Sequence, residues 1–225
     1  MQLRSLPALL ALVTGASLSA ATLLDEPFDS PTEITYHYPS APGEIPSFHD
    51  KFSGWARDGI ISVAYGTALG AKGSGGMLCT VETPSPTYMV AQYQKLSLPI
   101  SDPAYTTSDQ IKAYKLEFDA RLPKDRVLTV FLNPTGAEGM GARQWGSRLV
   151  LGRVTGTGEI TRYSLAGSAA SPQSIAAFLQ FIRDANLNGL PETVVDIVWL
   201  VPNKELAWAP GDSFQIDNVK LSNGL

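Results

Sequence analysis

The chain has 225 residues, 44% hydrophobic and 17% charged, with 20 Gly and 16 Pro; this is enough for one sizeable core in a loop-rich globular domain, and it excludes a disordered or low-complexity protein. The formal net charge of −4, with no Lys/Arg cluster close in sequence, offers phosphates no footprint and excludes a nucleic-acid partner. Cys79 is the only cysteine, which excludes an intramolecular disulfide and leaves stability to the core.

The chain opens with the parts of a secretory signal peptide. Met1-Gln2-Leu3-Arg4 is a short basic start, Leu6 to Leu18 an apolar stretch, and Ser19-Ala20-Ala21 a small-residue site, with cleavage expected after Ala21. Pro7 and Gly15 would break the alternative, a buried N-terminal helix. Residues 1–21 are therefore read as a leader and 22–225 as one domain, destined for the periplasm, the cell surface or the medium. No later run of about 18 apolar residues follows, so no transmembrane segment is expected.

Along the mature part, a first strand is expected at Thr22 to Phe28, then strands at Ile60 to Tyr65, Met77 to Val81 and Tyr88 to Leu98. The clearest alternation is Tyr114-Lys115-Leu116-Glu117-Phe118-Asp119-Ala120-Arg121, where every second residue is charged, as a strand with one wet face requires. Arg126 to Leu132, Arg148 to Val154 and Ile160 to Leu165 follow, and Val194 to Val201 and Ser213 to Leu221 complete about ten strands. Turn formers such as Gly70 to Gly76, Asn133-Pro134-Thr135-Gly136 and Gly156-Thr157-Gly158 separate them. One segment departs from this pattern. Ser171-Pro172 starts a helix that places Ile175, Phe178, Leu179 and Ile182 on one face, giving a short helix near residues 172–186. Strands at this spacing without alternating helices define an all-β fold, a sandwich or barrel.

Catalytic motifs are missing. His37 and His49 have no cysteine or glutamate at a zinc-type spacing. A Gly-x-Ser-x-Gly elbow has no match beyond the turn around Ser74. Glu117 and Asp119 share a strand face, where solvated surface charges are the simpler reading than a pair for glycoside hydrolysis.

Binding is a better fit than catalysis. Sugars are held by aromatic faces stacked on their C–H surfaces, with amides and charged groups fixing the hydroxyls. Trp145 in Gly141 to Arg148, Trp55 in Phe52 to Arg57 and Trp208 in Leu206 to Pro210 are loop tryptophans in polar or Gly-rich settings, and Gln92 alternates with Val90 and Gln94 on one sheet face. Trp199 reads as core. Calcium takes oxygen ligands, and Asp217 in Phe214-Gln215-Ile216-Asp217-Asn218-Val219-Lys220-Leu221 lies where the apolar phase switches. Either a bulge resets the register there or Asp217 points inward. Asp184-Ala185-Asn186-Leu187-Asn188-Gly189 matches half of an EF-hand loop, but position twelve is Val195, and a plain helix C-terminus accounts for it.

The order of Leu23 to Asp29, Gly54-Trp55 with Ile60 to Tyr65, Ala91-Gln92-Tyr93-Gln94 before Tyr114 to Arg121, and Phe214 to Leu221 resembles secreted galactose-binding-like jelly rolls, the CenC-like carbohydrate-binding modules above all. The resemblance implies a two-sheet antiparallel jelly-roll β-sandwich and a non-catalytic domain that binds a poly- or oligosaccharide. It also implies a structural calcium held by Asp217, with Asp29 as the N-terminal partner. Pro27 before Phe28, and Asp29 where the family has Glu, depart from its opening pattern. The rival readings are a structural or adhesive cell-envelope protein on the same fold and a cryptic polysaccharide lyase or hydrolase.

Overall fold

The computed structural model describes residues 21–28, 34–38, 52–57, 59–66, 75–99, 107–135, 145–187, 192–202 and 208–224. Among them run twelve strands: β1 (Ala21–Glu26), β2 (Ile34–Tyr38), β3 (Phe52–Arg57), β4 (Ile60–Gly66), β5 (Gly76–Thr83), β6 (Tyr88–Pro99), β7 (Tyr114–Arg121), β8 (Val127–Thr135), β9 (Leu149–Thr155), β10 (Ile160–Ala166), β11 (Glu192–Pro202) and β12 (Ser213–Asn223). Two helices, α1 (Ser108–Lys112) and α2 (Pro172–Leu187), interrupt them.

The strands form two antiparallel sheets. One has seven strands in the order β10-β7-β12-β5-β4-β2, with β1 also on β12; the other has five, in the order β3-β6-β11-β8-β9. Strand β12 is shared lengthwise, pairing with β5 over Ser213 to Ile216 and with β1 over Val219 to Asn223. This is the two-sheet jelly-roll β-sandwich that the resemblance implied, within the all-β class indicated by the strand spacing. The ten anticipated strands are all present within a few residues. Two strands, β2 and β3, and the short helix α1 were not anticipated.

Alternation explains the core. On β7, Tyr114, Leu116, Phe118 and Ala120 are buried while Lys115 and Arg121 are exposed. On β11, Val195, Ile197, Trp199 and Val201 face the same interior, and Trp199 meets Phe118 edge-on at 5.8 Å between centroids across the two sheets. Such an edge-to-face pair adds roughly 1 kcal/mol to the burial of the two rings. Strand β3 fits because of Gly54. A Cβ there would come within 2.6 Å of Val63 Cγ2, so the glycine marks a close approach to β4 rather than the turn its type signals.

Helix α2 runs one residue beyond its expected end and buries Ile175, Phe178, Leu179, Ile182 and Ala185 in the common core. Its first turn is latched twice. The Ser174 amide donates to Ser171 Oγ (3.2 Å), and Ser174 Oγ accepts from the Val150 amide and donates to the Arg148 carbonyl, both at 2.9 Å. These bonds fix the start of β9, which bears directly on the site below. Asp184 lies in the last turns of α2 and accepts from Gln180 Nε2 at 2.7 Å; Asn188 and Gly189, the rest of the half-matched EF-hand segment, lie outside the described residues. No helix among the described residues is long and apolar enough to cross a membrane.

Candidate ligand-binding face

The two sheets differ on the faces they turn away from the core. On the seven-stranded sheet that face is an ordinary charged surface, with Lys115 paired to Glu117 at 3.0 Å and Arg162 to Asp119 at 3.3 Å. Glu117 and Asp119 are thus engaged in surface ion pairs. On the five-stranded sheet part of the outward phase is an apolar cluster: Val90, Phe131 and Val198 are buried, with Tyr88, Val150 and Leu200 packed against them. An apolar cluster on the solvent side of a sandwich is the exception, since outward positions are ordinarily polar.

Register assembles this face. Val198 pairs with Gln92 on one side and Phe131 on the other, and Phe131 pairs in turn with Val150. In the next row Val90 pairs with Leu200, Leu200 with Thr129, and Thr129 with Arg153. A cavity of about 490 Å³ opens over these rows, lined by Tyr88, Thr129, Phe131, Arg148, Val150 and Leu200. Its size lies within the usual range for small-molecule and oligosaccharide pockets, about 300 to 1,000 Å³.

Local bonds position its walls. Ser85 Oγ accepts from the amides of Thr87 (3.0 Å) and Tyr88 (3.1 Å), a side-chain turn that sets the direction in which Tyr88 enters β6. The Arg148 guanidinium carbon lies 5.7 Å from the centroid of the Phe131 ring, within cation–π range. Beside the cavity, Asp196 pairs with Asn133 in the outward phase of β11 and β8. With Gln92 these form a buried polar group adjoining the apolar rows, each no more than 1% exposed. Neither amide atom of Asn133 has a hydrogen-bond partner.

The anticipated site residues fall in different places. Gln92 belongs to this face but lies beneath its surface. Trp55 is in a strand rather than a loop, at the β3 position opposite Val90. Trp145 begins a 3-10 turn, Trp145–Ser147, that leads into Arg148; the side chains of both tryptophans lie outside the described residues. Trp208 corrects the sequence reading. It is 5% exposed and packs edge-on against Phe214 at 5.6 Å, so its ring is core and offers no face to solvent. The turn that carries it is pinned by Asp212 Oδ2, which accepts from the Ala209 amide at 2.9 Å and pairs with Arg126 at 2.9 Å.

Asp29 lies outside the described residues. Asp217 is 2% exposed and pairs in register with Asp119, and the ladder shifts between Asp217 and Lys220, where Asn218 takes φ 49°. Of the two alternatives the bulge is the one realised: Asp217 stands in the outward phase, opposite Asp119, and is buried there rather than pointing into the core. Asp217 Oδ1 accepts from the Asn218 amide at 2.6 Å, and Asn218 Nδ2 donates to Asp119 at 2.8 Å. Among the described residues, no group of three or more His, Cys, Asp or Glu side chains is arranged to hold a metal.

Tyr88, Phe131, Arg148 and Leu200 were missed, and the signal for two of them was present. Val130-Phe131-Leu132 and Val198-Trp199-Leu200-Val201 are unbroken apolar runs. In an antiparallel sheet such a run makes both faces apolar, so one of them needs a cover or a ligand.

No family model matches this sequence, and no curated protein matches it. Among solved structures it is similar to the family 11 carbohydrate-binding module of a cellulosomal cellulase of Clostridium thermocellum, at 14% identity and a TM-score of 0.47 over 92% of this chain and 95% of that one. It is similar to a family 30 carbohydrate-binding module at 13% identity and 0.48 over 90% and 89%. It is also similar to a xylan-binding domain of family 22 from Paenibacillus barcinonensis, at 9% identity and 0.45 over 92% and 97%. These neighbours are carbohydrate-binding modules, and the likeness is one of fold.

Proposed function

We propose that this protein is a non-catalytic, secreted, carbohydrate-binding module-like protein that binds a poly- or oligosaccharide on the outer face of its five-stranded sheet. The observation that carries this reading is the aromatic and apolar cavity on a sheet face that would otherwise be polar. Sugar rings present flat C–H surfaces that such walls desolvate, while hydroxyl and charged groups at the rim set orientation. Tyr88 supplies a ring, Phe131, 1% exposed, backs the wall from beneath, Thr129 and Arg148 supply polar contacts, and Gln92 backs the floor. Trp55 and Trp145, on elements bordering the cavity, are further stacking candidates.

The test is affinity electrophoresis against a panel of soluble polysaccharides. Retention is expected on at least one, and Tyr88→Ala is expected to weaken it about tenfold, equivalent to about 1.4 kcal/mol. Migration unaffected by every polysaccharide, or retention indifferent to Tyr88→Ala, would contradict the assignment. Release of reducing or unsaturated sugar ends would overturn the non-catalytic reading.

The proposal includes a structural calcium held by Asp217 and Asp29. What supports it is a carboxylate only 2% exposed, paired in register with a second one, Asp119; a buried charge of this kind calls for a cation or several donors. Chelation is expected to lower the melting temperature by several degrees, as loss of a ligand bound only by the native state requires. An unchanged melting temperature would remove the metal.

A further inference from the structure

We infer that Ser174 of α2 is a positioning residue for the cavity on the five-stranded sheet: its hydroxyl stands in for a neighbouring strand along the outer edge of β9 and so holds the wall to which Arg148 and Val150 contribute. The inference rests on the carbohydrate reading of that cavity, and it gives helix α2 a part in binding.

Strand β9 is an edge of the five-stranded sheet, paired among the described strands with β8 alone. Every second residue of an edge strand turns its amide and carbonyl away from the sheet, and those groups need another partner. At the start of β9 one side-chain atom meets two of them. Ser174 Oγ accepts from the Val150 amide and donates to the Arg148 carbonyl, each at 2.9 Å. Residues 148 and 150 share this edge because they are two apart, the spacing over which a strand repeats. A hydroxyl both donates and accepts, so serine serves the two groups at once where alanine serves neither.

On its other side the ladder ties this stretch over only two pairs. Leu149 and Val150 pair with Leu132 and Phe131, and the register then shifts between Phe131 and Val130; pairing resumes at Gly152, with Arg153 beyond the shift, opposite Thr129. Two paired residues set off by a bulge make a short anchor. Arg148 and Val150 nevertheless line the cavity, and the backbone that Ser174 holds is the backbone that aims their side chains. The Arg148 guanidinium carbon lies 5.7 Å from the centroid of the Phe131 ring, a contact that depends on where the Arg148 backbone is kept.

Ser174 is itself fixed from behind. Its amide donates to Ser171 Oγ at 3.2 Å, and the Ile175 amide donates to the Ser171 carbonyl at 3.0 Å, which together cap the helix. Ile175, Phe178, Leu179, Ile182 and Ala185 then bury α2 in the core. The helix therefore stands without the Ser174 hydroxyl. Because Ser174 is only partly buried, water can take up the groups that its truncation releases, and loss of the hydroxyl loosens β9 without unfolding the protein.

The experiment compares the wild-type protein with Ser174→Ala, with Ser174→Thr, which keeps a hydroxyl, and with Ser171→Ala, which weakens the helix cap and leaves the Ser174 hydroxyl in place. The measurements are thermal melts, amide hydrogen exchange, and affinity electrophoresis on xylan, mixed-linkage β-glucan and polygalacturonate. In Ser174→Ala the Val150 amide is expected to exchange about tenfold faster, and retention on the polysaccharide that holds the wild-type protein to weaken about three- to tenfold, with the melting temperature within about 3 °C of wild type. Ser174→Thr is expected to restore both exchange and retention, and Ser171→Ala to lower the melting temperature more and retention less than Ser174→Ala. Retention unchanged in Ser174→Ala would overturn the inference and leave the carbohydrate reading in place. So would a loss of retention that Ser174→Thr fails to restore or that Ser171→Ala matches. An unchanged Val150 exchange rate would remove the latch itself. A wild-type protein retained by none of the polysaccharides would overturn the carbohydrate reading and this inference with it.

Discussion

At the scale of single residues, burial decides what a side chain is for, and Cys79 shows this most simply. It sits in the interior strand β5, opposite Val63 of β4 and Phe214 of β12, with no exposure. Desolvation pushes its thiol well above the ordinary value of 9.0. The native state then keeps a proton that the unfolded chain gives up, so the contribution to stability is complete below the unfolded pKa and is lost as pH rises past it. Stability is expected to be level up to about pH 8.5 and then to fall by up to about 1.4 kcal/mol per pH unit on account of this thiol. Cys79→Ala should remove that share of the alkaline slope, as read from denaturant melts between neutral pH and about pH 10; identical slopes would contradict it. A thiol reagent should label the native protein only as fast as it unfolds. The buried, inert thiol was legible because Met77 to Val81 reads as a strand. Trp208 was not, because Ala207, Ala209 and Pro210 look like loop, and nothing local reports that the loop folds back onto Phe214.

At the scale of elements, periodicity carried the reading wherever a strand has one wet face, as in β7. It failed where a strand departs from that pattern. Strand β3 contains Gly54 and was read as loop, yet its backbone passes so close to β4 that only glycine fits: an added Cβ would stand 2.6 Å from Val63 Cγ2 and 3.3 Å from both Ile61 Cγ2 and the Val90 carbonyl. Val63 is β-branched and has little rotameric freedom to yield. Gly54→Ala is therefore expected to cost about 1 to 3 kcal/mol as an overpacked core does. Val63→Ala in the same chain should recover part of that loss, giving a coupling of about 1 kcal/mol or more in a double-mutant cycle. Additive effects in urea denaturation would mean that the contact does not govern the strand. Register shifts were equally hidden. The bulge in β9 turns Arg153 outward and the one in β12 accompanies a buried Asp217, and of the two only the second left a trace, as a phase change between Ile216 and Val219.

At the scale of the whole molecule, the sandwich presents one charged outer face and one apolar face, and the contrast separates residues kept for stability from residues kept for function. Ile197 and Leu200 lie three residues apart on β11 on opposite sides of the sheet, Ile197 fully buried in the core and Leu200 partly exposed in the cavity wall. Both belong to the unbroken apolar run Ile197 to Val201, in which the sequence reading singled out only Trp199 as core. Deleting most of a core isoleucine removes burial and leaves a cavity, so Ile197→Ala is expected to cost about 2 to 5 kcal/mol while glycan retention by the folded fraction stays unchanged. Leu200 already meets solvent, so Leu200→Ser is expected to change stability by less than about 1 kcal/mol. It should nevertheless weaken retention several-fold, because the hydroxyl replaces apolar wall against which a sugar would pack. Denaturant melts and affinity electrophoresis on the two variants read both quantities. A Leu200→Ser protein that is as destabilised as Ile197→Ala, with retention intact, would mean that the apolar outer face belongs to the fold alone and that the ligand, if any, sits elsewhere.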